Sequence, residues 1–220
     1  MLKPPRQPYG FRNLLAYKKA EELQMECSRL ASLFPHSKTL LALADQMNRS
    51  ARSTKQNIVE GWKRNSTQEY YDFLGFSIGS NTELEEDCND IWKGIYPELM
   101  GLKGLMGEKG ALSAPSTHST HFVPFDIEKI PFYPLDRNLP PIVQLKLRAK
   151  ESNYLLSQLQ KSLENKMNQE KTLSSGDTAR RCLQAQNQNQ KLGDDFLEQY
   201  GFEKLENGQV VEKNKTNGDK

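Results

Sequence analysis

Tyr70, Leu74, Ser77, Asn81, Leu84, Cys88, Ile91 and Ile95 are spaced four and three residues apart in strict alternation. That period puts all eight on one narrow stripe of an α-helix lying nearly parallel to its neighbours, and the stripe has to be covered by other helices. Similar three- and four-residue intervals join Leu40, Ala44, Met47, Ala51, Thr54, Ile58 and Trp62, and again Ile142, Leu145, Ala149, Ser152, Leu156, Leu159, Leu163 and Met167. An earlier segment, from about Phe11 to Phe34, brings Leu14, Tyr17, Ala20 or Glu21, Leu23 or Gln24, Cys27, Leu30 and Phe34 together at helical spacing before Pro35 stops it. Four such segments predict an all-α, antiparallel four-helix bundle over residues 11–170.

The punctuation sharpens this reading. The second helix is expected to end near Gly61, where glycine relieves a left-handed C-terminal residue. The third opens at Ser66-Thr67-Gln68-Glu69, a capping box in which Ser66 and Glu69 satisfy each other's backbone N–H groups. Gly75 and Gly79 each cost a helix about 1 kcal/mol relative to alanine, so a close approach by another helix is expected there. Ser77 and Asn81 are polar members of an inward row and are read as setting register. Between 101 and 141 the periodicity dissolves into Gly, Ser, Thr and Pro. This predicts a long irregular insert between helices three and four, with Phe122, Phe125, Ile127, Ile130, Phe132 and Tyr133 lying against the bundle. After a break near Lys171 to Gly176, an extra C-terminal helix is expected over 177–202, ended by Gly201, and a disordered tail over 207–220.

Several function classes are disfavoured. Cys27, Cys88 and Cys182 are far apart with no Cys-x-x-Cys pair, which argues against a zinc site or a disulfide framework and for a reducing compartment. His118 and His121, three apart in a Ser/Thr-rich stretch, are a weak metal signal, so neither a metal nor a cofactor is expected. The opening residues lack the apolar core of a signal peptide, and no run of eighteen apolar residues occurs. The expectation is a soluble, cytoplasmic protein with no membrane partner. Asn57 and Glu60 share a helix face, but no nucleophile or ligand set accompanies them. They are read, with Gly61, as tying helix two to helix three, and the chain as no enzyme. Trp62, Trp92, Tyr70 and Tyr71 fall at helical spacing and are assigned to core or subunit interface rather than to base stacking.

Charge is the remaining signal. Residues 1–65 hold twelve Lys and Arg against five Asp and Glu, whereas residues 66–110 hold three against nine. Such polarity suits a nucleic-acid-binding face, or a self-association surface in which one subunit's basic side meets another's acidic side. On a helical wheel Arg49, Arg52 and Lys63 share one side of helix two, with Lys55 at its border; Lys18 and Lys19 on helix one and Arg64 just beyond helix two would widen the stripe. A phosphate backbone rewards such clustering through counterion release. The alternative is that these cations only solvate the bundle or pair with Asp45 and Glu60.

Arg52-Ser53-Thr54-Lys55-Gln56-Asn57-Ile58-Val59-Glu60-Gly61, followed by Gly79-Ser80-Asn81-Thr82-Glu83-Leu84-Glu85-Glu86, resembles the signature helices of a bacterial four-helix bundle family. That family includes proteins encoded in ribosomal RNA intervening sequences and the accessory variability determinant of diversity-generating retroelements. Phe11-Arg12-Asn13-Leu14 with Lys18-Lys19-Ala20 resembles its first helix, and the segment from Cys182 to Phe202 resembles a suffix helix found in one branch. The resemblance implies a non-enzymatic scaffold, a homo-oligomer such as a pentamer, and a reverse transcriptase as a possible protein partner. This chain departs from the pattern in its long insert and its suffix helix. The expected function is an oligomeric accessory protein binding RNA or DNA through the basic face. The alternative is a protein-interaction scaffold that recruits a partner through the insert and suffix helix without touching nucleic acid.

Overall fold

A computed structural model describes residues 7, 9–111, 126–171, 175–205 and 208–212. After a 3-10 turn at Gly10–Asn13, the chain forms α1 (Leu15–Ala31), α2 (Lys38–Lys63) and α3 (Thr67–Trp92). Two short helices follow, α4 (Pro97–Met100) and α5 (Lys103–Ala111), then α6 (Pro141–Lys171), α7 (Ser175–Gln199) and a hairpin of β1 (Phe202–Lys204) with β2 (Val210–Glu212). Helices α1, α2, α3 and α6 are the bundle.

Cross-helix contacts fix its direction. Ser28 meets Asn48 and Glu21 meets Lys55, so α1 and α2 run antiparallel. Gln46 meets Asp87 and Ser50 meets Glu83 between α2 and α3. Asn81 meets Ala149 and Gln160 meets Tyr71 between α3 and α6, and Lys19 meets Glu151 between α1 and α6. Every neighbouring pair is antiparallel, and the short links at 32–37 and 64–66 require this of α1 with α2 and of α2 with α3.

The inward rows are those the periodicity selected. Met47, Ala51, Thr54 and Ile58 on α2, and Tyr70, Leu74, Ser77, Asn81, Leu84, Cys88 and Ile91 on α3, are all buried. A polar layer of Thr54, Ser77, Asn81 and Ser152 separates two apolar clusters, one centred on Leu30, Met47, Leu84 and Leu145, the other on Ala20, Ile58, Tyr70 and Leu156. The Asn81 amide donates to the Ala149 carbonyl (2.7 Å), and the Ser77 hydroxyl donates to the Thr54 carbonyl. These bonds lock α3 in register with α6 and α2, because a slip would leave dry donors without acceptors. The Ser66–Glu69 capping box forms as expected.

Several local expectations differ. Helix one is preceded by the separate 3-10 turn, because Leu14 is extended (φ −68°, ψ 130°). Ile95 leaves the α3 row: the helix ends at Trp92, Gly94 takes a positive φ of 81°, and Ile95 turns to solvent. Gly61 does not end α2, which continues to Lys63. Its use is proximity, since a Cβ there would lie 2.7 Å from Tyr70 Cδ2 and 2.8 Å from Phe73 Cβ. Gly75 would bring a Cβ only to 3.4 Å from the Gln160 amide, and Gly79 has nothing within 4 Å, so no close helix contact explains Gly79.

The 101–141 insert is more helical than its composition indicates. It holds α5, interrupted at Gly107 (φ 69°), and a 3-10 turn at Ile127–Lys129. Leu99, Met100, Leu105, Met106 and Ile127 are buried against one end of the bundle, with Ile130 and Phe132 packed beside them. Tyr133 instead faces solvent, and Phe122, Phe125, His118 and His121 lie outside the described residues. The insert is clamped to α6 by Glu128, whose carboxylate pairs with the fully buried Lys146 ammonium and with Lys150 (3.3 Å). Residues 210–212, expected in a disordered tail, pair with 202–204 instead; residues 213–220 lie outside the described residues.

Candidate nucleic-acid interface

The C-terminal end of α2 gathers Arg12, Lys63 and Arg64, none of which pairs with a carboxylate among the described residues. Because Gly61 carries no side chain, Tyr70 and Phe73 of α3 pack directly on the last turn of α2, and the Trp62 and Tyr70 rings meet edge to face with centroids 6.1 Å apart. The N-terminal segment folds back over this end. A Cβ at Gly10 would lie 2.7 Å from the Trp62 ring, and Trp62 Nε1–H donates to the Gln7 carbonyl (3.0 Å).

This folding brings Tyr9 beside Lys63 and Arg12. The Lys63 ammonium is 4.7 Å from the Tyr9 ring centroid and the Arg12 guanidinium 5.2 Å from it. One residue on, the Arg64 guanidinium lies 4.4 Å from the Phe73 centroid, and Phe73 meets Phe76 edge to face at 5.6 Å. Tyr9 and Phe76 remain 60% and 61% exposed. Each cation–π contact at such exposed sites is worth about 0.5–1 kcal/mol, enough to orient the cations without burying them. Lys63 also offsets the partial negative charge at the end of α2. The corner therefore presents flat aromatic rings with cations held against them, which suits unstacked bases and their phosphates.

The seven sequence-selected cations do not form one stripe. Lys63 and Arg64 are in this corner. Lys18 and Arg52 are exposed, and neither pairs with a carboxylate among the described residues. The other three are engaged: Arg49 with Asp45, Lys55 with Glu21 at 4.0 Å, and Lys19 with Glu22 at 3.5 Å and Glu151 at 3.4 Å. Such surface pairs, partly exposed at Lys19 and Lys55, are worth only about 0.2–1 kcal/mol, but they offset the positive potential a polyanion would meet. Glu60 is exposed and Asn57 half-buried, and neither side chain forms a hydrogen bond or ion pair with the described residues, so the expected tie to α3 is supplied by Gly61 packing. Tyr9, Arg12, Phe73 and Phe76 escaped the sequence reading. They come from two segments, the N-terminal turn and α3, and only the fold joins them to the end of α2.

The acidic side of α3 behaves differently. Asp87 is almost wholly buried; one oxygen accepts from the Gln46 amide (3.3 Å), and no partner for the other exists among the described residues. Burial, with Asp90 and Glu83 adding repulsion, pushes its carboxyl from 3.8 up to about 6. The folded state then binds more protons than the unfolded one between those values, so this group lowers stability as pH rises through that window. Asp87→Asn is expected to raise unfolding free energy at pH 7.5 by about 1–2 kcal/mol and to be neutral at pH 4, as urea melts at both pH values would read. An equal effect at both would remove the titration argument.

Among the described residues no cluster of His, Cys, Asp and Glu could hold a metal ion, and no helix is long and apolar enough to cross a membrane. Residues 12–91 match a family model described as 23S rRNA-intervening sequence protein. No curated protein and no solved structure matches the chain. The matched span covers α1, α2 and nearly all of α3, and so includes Arg12, Lys63, Arg64, Phe73 and Phe76 but not the insert, α6 or α7.

Proposed function

We infer that this chain, matched over residues 12–91 by the 23S rRNA-intervening sequence protein family, is a non-enzymatic accessory protein that binds single-stranded nucleic acid at the α2 corner. One observation carries the reading. Arg12, Lys63 and Arg64 sit against aromatic rings, free of ion pairs with the described carboxylates, while Tyr9 and Phe76 stay open to solvent. The aromatic faces stack on bases and the cations contact phosphates, a combination that tolerates any sequence. The family description, which names an rRNA insertion, makes RNA the first ligand to try. In a homo-oligomer the corner is repeated, and several weak contacts on one strand multiply.

The test is fluorescence anisotropy with a short mixed-sequence single-stranded RNA, its DNA counterpart and an RNA duplex, at two salt concentrations. Lys63→Glu with Arg64→Glu is expected to weaken RNA binding at least about tenfold and to flatten the salt slope by about 1.4, the loss of two single-strand phosphate contacts. Tyr9→Ala with Phe76→Ala is expected to weaken binding by about tenfold or more through lost stacking, with the salt slope unchanged. Arg49→Glu, at a cation already paired with Asp45, is expected to matter little. Equal losses at Arg49 and Lys63, or undiminished binding by both double variants, would sink the corner as the site.

A further inference from the structure

The outer face of α6 holds a polar groove at the C-terminal half of the helix. Gln158, Lys161, Ser162, Asn165, Lys166 and Gln169 recur at three- and four-residue intervals, share one side of the helix, and line an open groove of about 530 Å³. None of the six is acidic or apolar. One turn earlier the same side carries Tyr154, half exposed, whose ring lies 5.6 Å from that of Phe132 and is tilted by 38° to it. Helix α6 packs on α1, α3 and α5 through its other sides. The flanking acids leave this strip positive. Lys19 engages Glu151, Glu164 stands about a third of a turn away from the groove, and Lys161 pairs with no carboxylate among the described residues. On the outer sides of α1 and α2, by contrast, Arg29 is paired with Glu26 and Arg49 with Asp45.

We propose that this face of α6 is a second binding site for single-stranded nucleic acid. Its ligand class rests on the reading of the α2 corner; its location does not, since α6 lies beyond the matched span 12–91. The lysines suit phosphates, and the open Tyr154 ring suits the flat side of a base. Gln158 and Asn165 each bring an acceptor oxygen and a donating NH2 group for base edges or sugar hydroxyls. A folded protein partner finds no apolar anchor among these lining residues. Leu159 and Leu163, on the inner side of α6, pack in the same cluster as Trp62 and Tyr70, so the groove and the corner belong to the same end of the bundle. A strand long enough to reach both is held twice, and the first contact raises the effective concentration for the second.

The full chain is titrated into a labelled mixed-sequence single-stranded RNA of about sixteen nucleotides, at two salt concentrations. Lys161→Glu with Lys166→Glu is expected to weaken binding at least about tenfold and to flatten the salt slope by about 0.7–1.4, the loss of one or two phosphate contacts. Tyr154→Ala is expected to weaken it by about tenfold through lost stacking, with the slope unchanged. Lys93→Glu with Lys103→Glu makes the same change of net charge at the opposite end of the bundle, at two exposed lysines, and is expected to matter little. Far-ultraviolet spectra of all variants should match that of the native chain. The corner variants separate the two sites. A loss at α6 together with a loss at Lys63 and Arg64 supports both, and a loss at α6 with a silent corner keeps the groove and sinks the corner. A silent α6 with an active corner overturns the groove alone. Equal loss in the Lys93, Lys103 variant, or displacement of the RNA by polyglutamate as readily as by unlabelled RNA, would overturn the groove as a nucleic-acid site, because either reduces it to unselective charge.

Discussion

Gly61→Ala is expected to destabilise the bundle by about 2–3 kcal/mol, even though alanine is the better helix former. The new Cβ would fall 2.7 Å from Tyr70 Cδ2 and 2.8 Å from Phe73 Cβ. A flexible side-chain end could give way at such a distance. Phe73 Cβ cannot, because it moves only with the α3 backbone, so α2 and α3 must separate at their linked ends. Separation also pulls Tyr70 from the Trp62 edge and disturbs the footing of Phe73 under Arg64. Gly79→Ala provides the internal control. It too is a glycine inside a helix, but with nothing within 4 Å its replacement should stabilise by about 0.5–1 kcal/mol. Guanidinium melts of both variants measure the contrast; two effects of the same sign would falsify the close-approach account of Gly61.

Glu128→Gln is expected to cost about 3 kcal/mol, whereas Lys146→Met is expected to cost less than about 1 kcal/mol. The asymmetry follows from where each group sits. The Lys146 side chain is wholly enclosed, and Glu128, 56% exposed, is the carboxylate that neutralises it. Removing the acid strands an ammonium in a dry site. Removing the base leaves a carboxylate that water and Lys150 still satisfy, and methionine fills the same space. The Lys146 and Lys150 contacts hold the Glu128 carboxyl below its ordinary range. Its contribution is therefore complete above 4.5 and is lost as pH falls through the depressed folded value. Hydrogen exchange should show protection falling first in the 3-10 turn at Ile127–Lys129 and in α5, since that carboxylate fastens the insert to α6. A uniform loss over the whole bundle would argue against so local a clamp.

The two predictions lie at opposite ends of the bundle, and the sequence was informative about them to different degrees. Gly61 was visible as a special residue, but its reason was misassigned: a glycine near a helix end has the same one-letter appearance whether it supplies a positive φ or simply makes room. Only the positions of Tyr70 and Phe73 separate the two. Lys146 lies in the helix-four pattern without standing out, since nothing in the order of residues says that Glu128, eighteen positions earlier, folds back over it. The basic stripe failed in part for a related reason. A wheel of α2 alone places Arg49, Arg52 and Lys63 together, but it knows nothing of Glu21 and Glu151 on other helices, which claim Lys55 and Lys19.

What the sequence by itself determined was the helical bundle and its buried rows. Met47, Ala51 and Ile58, and Leu74 through Ile91, had to turn inward because apolar residues at three- and four-residue intervals share one face, and water leaves no other stable place for that face. The Ser66 and Glu69 cap was equally local. The tertiary structure alone decided the corner of aromatic rings and cations. Tyr9, Arg12, Lys63, Arg64, Phe73 and Phe76 belong to the N-terminal turn, the end of α2 and the start of α3, and no periodicity links them. They meet because Gly61 lets two helices touch and because the chain before α1 folds back over Trp62. Those are packing events between distant segments, and the sequence records their ingredients without their geometry.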